Sequence, residues 1–195
     1  MNREESGLYI RKITSKAYKD KKPLDWFEQL YKASLDKGTI IPWADKEANE
    51  HLLSWWPGTF KMNGKKALVV GCGLGDDAIF LEQHGFDVDA FDLSPTAIEI
   101  AKQRFTNSNV HFFQADLFNL PDNVKEYDFI FEAYTLQAMP LDYRARAIPI
   151  IEQLLAKHGH LLIICRGREE QEAVVQPTAK ETKTKTKNNK HQDKS

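Results

Sequence analysis

The sequence predicts an α/β domain: a doubly wound, mainly parallel five-stranded sheet behind an N-terminal helical cap. Three observations carry this. Short apolar runs alternate with amphipathic segments over residues 61–166, the pattern of strands joined by helical crossovers. The first and last of these runs, Ala67–Val70 and His160–Cys165, are almost continuously apolar, as strands covered on both faces are. A glycine-rich turn follows the first run directly and leads into a helical segment. The chain has 195 residues, 42% hydrophobic and 28% charged, an ordinary globular balance that excludes collagen-like, coiled-coil and wholly disordered classes.

Residues 1–60 form the expected cap and hold all four tryptophans, Trp26, Trp43, Trp55 and Trp56. Trp26, Leu30 and Ala33 fall on one helical face, and Trp26, Trp55 and Trp56 are expected to pack the cap onto the sheet. The strands expected after Ala67–Val70 are Asp87–Phe91, Val110–Phe113, Tyr127–Glu132 and His160–Cys165. The helix from Asp76 to His84 is closed by Gly85, a natural residue just past a helix end. Ser94-Pro95 supplies an N-cap and a proline at the first helical position, and Ile98, Ala101 and Phe105 then face the sheet. A helix over Arg144–Leu155 contains Pro149, which should kink it or mark its true start. Residues 167–195 form a tail almost without apolar side chains beyond its first few residues; it cannot bury enough surface to offset ordering entropy, so disorder is expected.

Charge and cysteine usage narrow the function. The net charge is −1, and the last twenty residues carry +4 of it, which leaves −5 on the body. An acidic body offers no footprint for nucleic acid. No apolar run is long enough to span a bilayer, and the N-terminus has no signal-peptide pattern. Cys72 and Cys165 are the only cysteines and have neither disulfide-framework nor metal spacing; a reduced, cytoplasmic protein is expected. His158-Gly159-His160 offers two histidines with no third ligand in view, so no metal site is expected.

The chemistry concentrates in Gly71-Cys72-Gly73-Leu74-Gly75-Asp76-Asp77. A strand before it and a helix after it give a glycine loop its meaning, because residues without a Cβ let a ligand lie against the backbone. A dinucleotide fingerprint needs its third glycine at position 76, where Asp76 stands instead. Two carboxylates at that helix start would repel a pyrophosphate, and no Gly-Lys-Ser/Thr follows for a P-loop. A cationic, phosphate-free cofactor fits better. Asp92 ends the second strand, seventeen residues after Gly75, and an acid there can accept from two ribose hydroxyls. Asp116 follows the third strand, where it can accept from a purine amine while Leu117 packs on the ring.

These motifs in this order resemble the class I S-adenosylmethionine-dependent methyltransferases, over about Lys65 to Cys165. The resemblance implies a Rossmann-like methyltransferase fold and S-adenosyl-L-methionine as cofactor. It implies that Gly71, Cys72, Gly73 and Gly75 meet the methionine part, that Asp92 and Leu93 meet the ribose, and that Asp116 and Leu117 meet the adenine. Glu132-Ala133-Tyr134 after the fourth strand takes the position that lines the methyl-transfer site in that family. Many members carry an acid two places before the first glycine, where this chain has Val69. The methyl group leaves a sulfonium, so in-line displacement rests on positioning, and carboxylates and aromatic faces suit the cation.

On the substrate side, the post-strand-four segment is not the Asn/Asp-Pro-Pro-Tyr/Phe motif of enzymes that methylate base amines. With the acidic body, this points to a small-molecule acceptor, possibly a thiol. Glu132, Tyr134 and Gln137 are the candidate catalytic residues: Glu132 to steady the cofactor or a substrate proton, Tyr134 and Gln137 to orient the substrate. The Pro42-Trp43-Ala44-Asp45 stretch loosely resembles the Pro-Trp-Asp lid of the thiol and thiopurine branch, so Trp43 is a cofactor-lid candidate, with Tyr31 beside it. The family fold usually has two further strands, and none can be drawn after Cys165. The fifth strand is then an exposed edge, through which the protein is a homodimer if it is not a monomer. The competing reading is a truncated, weak or inactive methyltransferase-fold chain serving as a cofactor-binding or interaction module.

Overall fold

The computed structural model describes residues 1–44, 46–56 and 64–167. The expected tail beyond Gly167 and the lid residue Asp45 lie outside them. Three cap helices, α1 (Arg3–Lys19), α2 (Trp26–Lys37) and α3 (Glu50–Trp55), precede an alternation of strands and helices. This runs β1 (Lys66–Val70), α4 (Asp76–Gln83), β2 (Asp87–Asp92), α5 (Pro95–Arg104), β3 (His111–Gln114), a 3₁₀ turn (Leu117–Asn119), β4 (Tyr127–Ala133), α6 (Thr135–Ala138), α7 (Leu141–Gln153) and β5 (Leu155–Ile164).

Local chemistry sets the helix ends. Asn2 and Glu5 form a reciprocal capping box at the start of α1, satisfying two otherwise orphaned N–H groups. The Ser94 hydroxyl accepts from Ala97 N–H at 3.0 Å with Pro95 at the first helical position, as the sequence predicts. Gly38 closes α2 in the left-handed region at φ +61°, where a Cβ would be penalised.

All four ladders are parallel, in the order β3-β2-β1-β4-β5. The chain winds outward from β1 to β3 and then returns to the other side of β1 as β4. The reversal between β1 and β4 opens a crevice at the carboxyl ends of the strands, where open α/β sheets bind ligands. Both sheet faces are covered. Val69, Phe112, Phe129 and Phe131 pack with Ala78, Leu81, Ile98 and Ala101 of α4 and α5 and with Leu52 of α3. Leu68, Val70, Phe91 and Ile130 pack with Leu136, Ala147 and Ile151 of α6 and α7. Leu68 is fully buried, worth about 1.5–3 kcal/mol of transfer free energy. Trp26 and Leu30 join Ile13 and Ala17 in a separate cap cluster that reaches Ala138. Trp55 stacks on Phe129 at 5.8 Å between ring centres, and Trp56 sits edge-on to Phe80 and Phe86.

The last crossover departs from expectation. Helix α7 starts at Leu141 and runs through Pro149. Pro149 lies on an exposed face, as does Ala145, whose carbonyl it deprives of a partner; water can serve that carbonyl. Strand β5 begins at Leu155 rather than His160, with an irregularity where Tyr127 pairs Leu155 and Phe129 pairs His160. His158 takes φ +68° there. A Cβ on Gly159 would stand 2.7 Å from Tyr127 O, so only glycine allows that approach. β5 is one of the two edge strands of the described sheet, with β3 the other, and its Ile163 is exposed.

Candidate active site

A cavity open on one side to solvent lies over the carboxyl ends of β1, β2 and β4, where open α/β sheets bind ligands. Its floor is Val70, Gly71, Phe91, Asp92 and Leu93; one wall is Ala115, Asp116, Leu117 and Phe118; the opposite wall is Ala133, Tyr134, Thr135, Ala138 and Met139. The cap contributes Leu24, Phe27, Tyr31 and Trp43 as a roof. No Lys, Arg or His lines it among the described residues.

The glycine loop leaves β1 in an unusual backbone. Gly71, Gly73 and Gly75 have φ of +66°, +53° and +92°, conformations that L side chains rarely adopt. Each also faces a close neighbour. A Cβ on Gly71 would stand 2.3 Å from Thr135 Oγ1, one on Gly73 3.0 Å from the Tyr31 hydroxyl, and one on Gly75 2.9 Å from Phe112. Gly75 therefore serves the packing of the loop on β3, Gly71 the approach of α6, and Gly73 the approach of the lid. Cys72 is buried in the core cluster, so its side chain faces away from the cavity.

Asp92 is 7% exposed and is held by the loop itself. Its Oδ2 accepts from Gly73 N–H at 3.0 Å and its Oδ1 from Ser94 N–H at 2.8 Å. Burial pushes its pKa up to about 6, against the pull of these N–H donors, with the Glu28 carboxylate adding to the rise. The Leu93 N–H also acts on it, no cation compensates it among the described residues, and a carboxylate's four acceptor positions are not all taken. Asp116 accepts from Phe118 N–H through Oδ1 at 2.9 Å and lines the cavity.

The lid is a hydrogen-bonded pair. The indole N–H of Trp43 donates to the Tyr31 hydroxyl at 3.0 Å, and the two rings meet edge-on. Tyr31 is almost fully buried, whereas Trp43 is 39% exposed at the rim.

The candidate catalytic residues separate. Tyr134 lines the cavity at φ +63°, with the Arg166 guanidinium 5.7 Å from its ring centre. Glu132 is fully buried behind that wall and accepts from Leu136 N–H at 2.9 Å. Gln137 turns outward and accepts from Arg166 N–H at 2.8 Å; it does not line the cavity.

Four supports escaped the sequence reading because their partners are remote. Glu28 of α2 accepts from the Ser94 hydroxyl, and from Thr96 Oγ1 at 2.8 Å, fastening the cap to the start of α5. Burial disfavours its charge, yet the donors from Ser94, Thr96 and Lys32 outweigh that and lower its pKa. Arg104 grips Asp76 with two hydrogen bonds of 2.7 Å and donates to Leu74 O at 2.8 Å. Asp77 accepts from Asn49 N–H at 2.7 Å. The two carboxylates thus serve as structural anchors rather than the free charges the sequence implied; the Lys-free cavity above is what makes the site unlike a phosphate site. Thr135, pressed against Gly71, is the fourth.

The comparisons with known proteins agree with this geometry. The pattern of a methyltransferase domain matches residues 67–159. A probable thiopurine S-methyltransferase of Yarrowia lipolytica is 30% identical over 141 residues, 63% of this chain and 66% of the relative. A thiopurine S-methyltransferase of Vibrio atlanticus is 24% identical over 148 residues, 68% and 67% of the two chains. The chain thus spans about two thirds of the length of these relatives. The structure of a TehB-like methyltransferase from Corynebacterium glutamicum, dependent on S-adenosylmethionine, superposes with a TM-score of 0.50 at 26% identity, over 70% of this chain and 69% of that one. With Gly71, Asp92 and Asp116 lining one cavity at the strand ends of the parallel sheet, and Gly73 N–H tied to Asp92, the chain belongs to the class I S-adenosylmethionine-dependent methyltransferases.

Proposed function

We propose that this chain transfers a methyl group to a small, uncharged or thiol-bearing acceptor in the cavity between Asp92 and Tyr134. The observation that carries the reading is Asp92: a buried carboxylate with acceptor capacity left beyond its backbone donors, no compensating cation among the described residues, and a fixed place beside the glycine loop at the cavity floor. Paired ribose hydroxyls would supply the donors it lacks, so the residues present fit S-adenosylmethionine. That cofactor, when bound, supplies an electrophilic methyl group on a sulfonium.

The residues divide the work. The backbone of Gly71, Cys72, Gly73 and Gly75 receives the amino-acid end, Asp92 and Leu93 the ribose, and Asp116 with Leu117 the adenine. Tyr31 and Trp43 cover the site and exclude water, which strengthens the interactions beneath them. Tyr134 faces the acceptor. The apolar walls and the absence of lining cations among the described residues disfavour phosphorylated acceptors and nucleic acid. Relatives named thiopurine S-methyltransferases favour sulfur as the accepting atom. With a thiol acceptor the bound cofactor would supply the methyl group, and the thiol proton would leave to solvent, since no lysine, arginine or histidine lines the cavity among the described residues. A cytoplasmic protein that is monomeric, or dimeric through the β5 edge, is the form this reading carries.

Calorimetric titration with S-adenosylhomocysteine, beside an Asp92→Ala variant, tests it. Binding that the variant loses is the expected result, followed by S-methylation of 6-mercaptopurine as a probe acceptor. A folded protein that does not bind the compound overturns the reading. Binding without transfer to any thiol, amine or hydroxyl probe leaves a cofactor-binding module in its place.

A further inference from the structure

The wall facing the acceptor is one turn of helix with an unfavourable entry. Tyr134 sits at φ +63°, a conformation costing a non-glycine residue roughly 1 kcal/mol or more. Helix α6 is only four residues long, too short to hold itself. Yet Tyr134, Thr135, Ala138 and Met139 all face the cavity, so something else must fix them.

Two charged side chains do so from opposite ends, and neither lines the cavity. Glu132 accepts from Leu136 N–H at 2.9 Å, and from Thr135 N–H as well. Arg144 of α7 donates to the carbonyls of Leu136, Gln137 and Met139 at 3.0, 3.1 and 3.2 Å. The free N–H groups at the start of the turn and the free carbonyls at its end are thus met by one acid and one base. Glu132 Oε2 has no hydrogen-bond partner among the described residues. A fully buried carboxylate with one oxygen unspent is costly to keep, and the gain it brings here is the fixed backbone of the turn. Burial raises its pKa, against the pull of the two N–H donors and of the Arg144 charge.

We infer that Glu132 and Arg144 are positioning residues, which set residues 133–139 as a preformed acceptor wall and act on its backbone rather than on the reacting atoms. This rests on the methyl-transfer reading for the word acceptor, but the clamp itself does not.

Hydrogen exchange with S-adenosylhomocysteine titration and 6-mercaptopurine kinetics tests both parts on the full chain. Arg144→Ala is expected to speed amide exchange across residues 133–139 by about tenfold, as loss of roughly one net hydrogen bond's free energy would, while residues 66–92 keep their protection. The Kd for S-adenosylhomocysteine should stay within about twofold and the KM for 6-mercaptopurine rise about tenfold, as loss of acceptor binding alone requires. Glu132→Gln keeps an oxygen for the Leu136 N–H and should hold the segment's exchange near the parental rate, whereas Glu132→Ala should not. If Glu132→Ala fails to fold, Arg144→Ala and Glu132→Gln decide. Unchanged exchange in Arg144→Ala overturns the clamp. Faster exchange with an unchanged KM overturns its role toward the acceptor. A parent protein that binds no S-adenosylhomocysteine sinks the methyl-transfer reading instead, and the exchange result still settles the clamp.

Discussion

The Asp92 carboxylate and the Gly73 amide are one unit: Gly73 N–H donates to Asp92 Oδ2 at 3.0 Å. Two motifs nineteen residues apart therefore fix each other, and the carboxylate holds the loop in shape while keeping lone pairs for a ligand. Removing it should damage both. Asp92→Ala is expected to weaken S-adenosylhomocysteine binding by about a hundredfold or more, since two hydrogen bonds to a charged group are lost. Calorimetry reads the Kd; binding within about threefold of the parent would show that Asp92 is no ligand.

Gly71 should not tolerate a side chain. A Cβ would stand 2.3 Å from Thr135 Oγ1 at φ +66°, so strain and overlap add. Gly71→Ala is expected to cost about 2–4 kcal/mol of stability. Adding Thr135→Ala removes the Oγ1 overlap but not the strain, and should recover about 1 kcal/mol. Urea unfolding of the four proteins gives the cycle; strict additivity would place the cost in the backbone alone.

Asp77 makes stability depend on pH. Burial lifts its pKa to about 6 from the ordinary carboxylate value, against the pull of Asn49 N–H and with help from the Asp76 charge. An acid with a raised folded pKa favours folding most when protonated, so its contribution is full below about pH 4 and is lost as pH rises through about 6. Asp77→Asn can keep an oxygen for Asn49 N–H without the charge. It is expected to gain about 1 kcal/mol over the parent at pH 8, after allowing for the lost charge at the α4 start, and nothing at pH 4. Melting curves at the two pH values check this; an equal gain at both would exclude the charge as the cause.

The Trp43–Tyr31 bond gives the lid a readout. Trp43 is the rim tryptophan and is partly exposed. Trp43→Phe loses the donor to Tyr31 but keeps an aromatic roof, so S-adenosylhomocysteine Kd should rise about three- to tenfold, the worth of one hydrogen bond. The ligand-induced change in tryptophan fluorescence should shrink with it. An unchanged fluorescence response in the variant would move the signal to another tryptophan.

Much of this protein is legible in its sequence because the signals are local. Continuous apolar runs mark strands covered on both faces, and Ser94-Pro95 marks a helix start. A glycine loop between strand and helix, with Asp92 ending the second strand and Asp116 just past the third, names the ligand side of the sheet. The resemblance those residues carry supplied the family. The N-terminal extension of β5 to Leu155 is not legible, because its bulge depends on the closeness of Tyr127 O to Gly159 across the ladder. Nor was the continuity of α7 through Pro149, which depends on that face being exposed.

The supports of the site were decided by the tertiary structure alone. Glu28 meets Ser94 across sixty-six residues, Arg104 meets Asp76 across twenty-eight, and Thr135 meets Gly71 only because β4 lies beside β1. Glu132 is a candidate to steady the cofactor or a substrate proton by its place near the end of strand four, yet its side chain accepts from the backbone of α6. Sequence order determines which strand end a residue occupies. Which way its side chain points, and what charge or amide waits there, is set by packing between elements distant in the chain, and no local pattern encodes that.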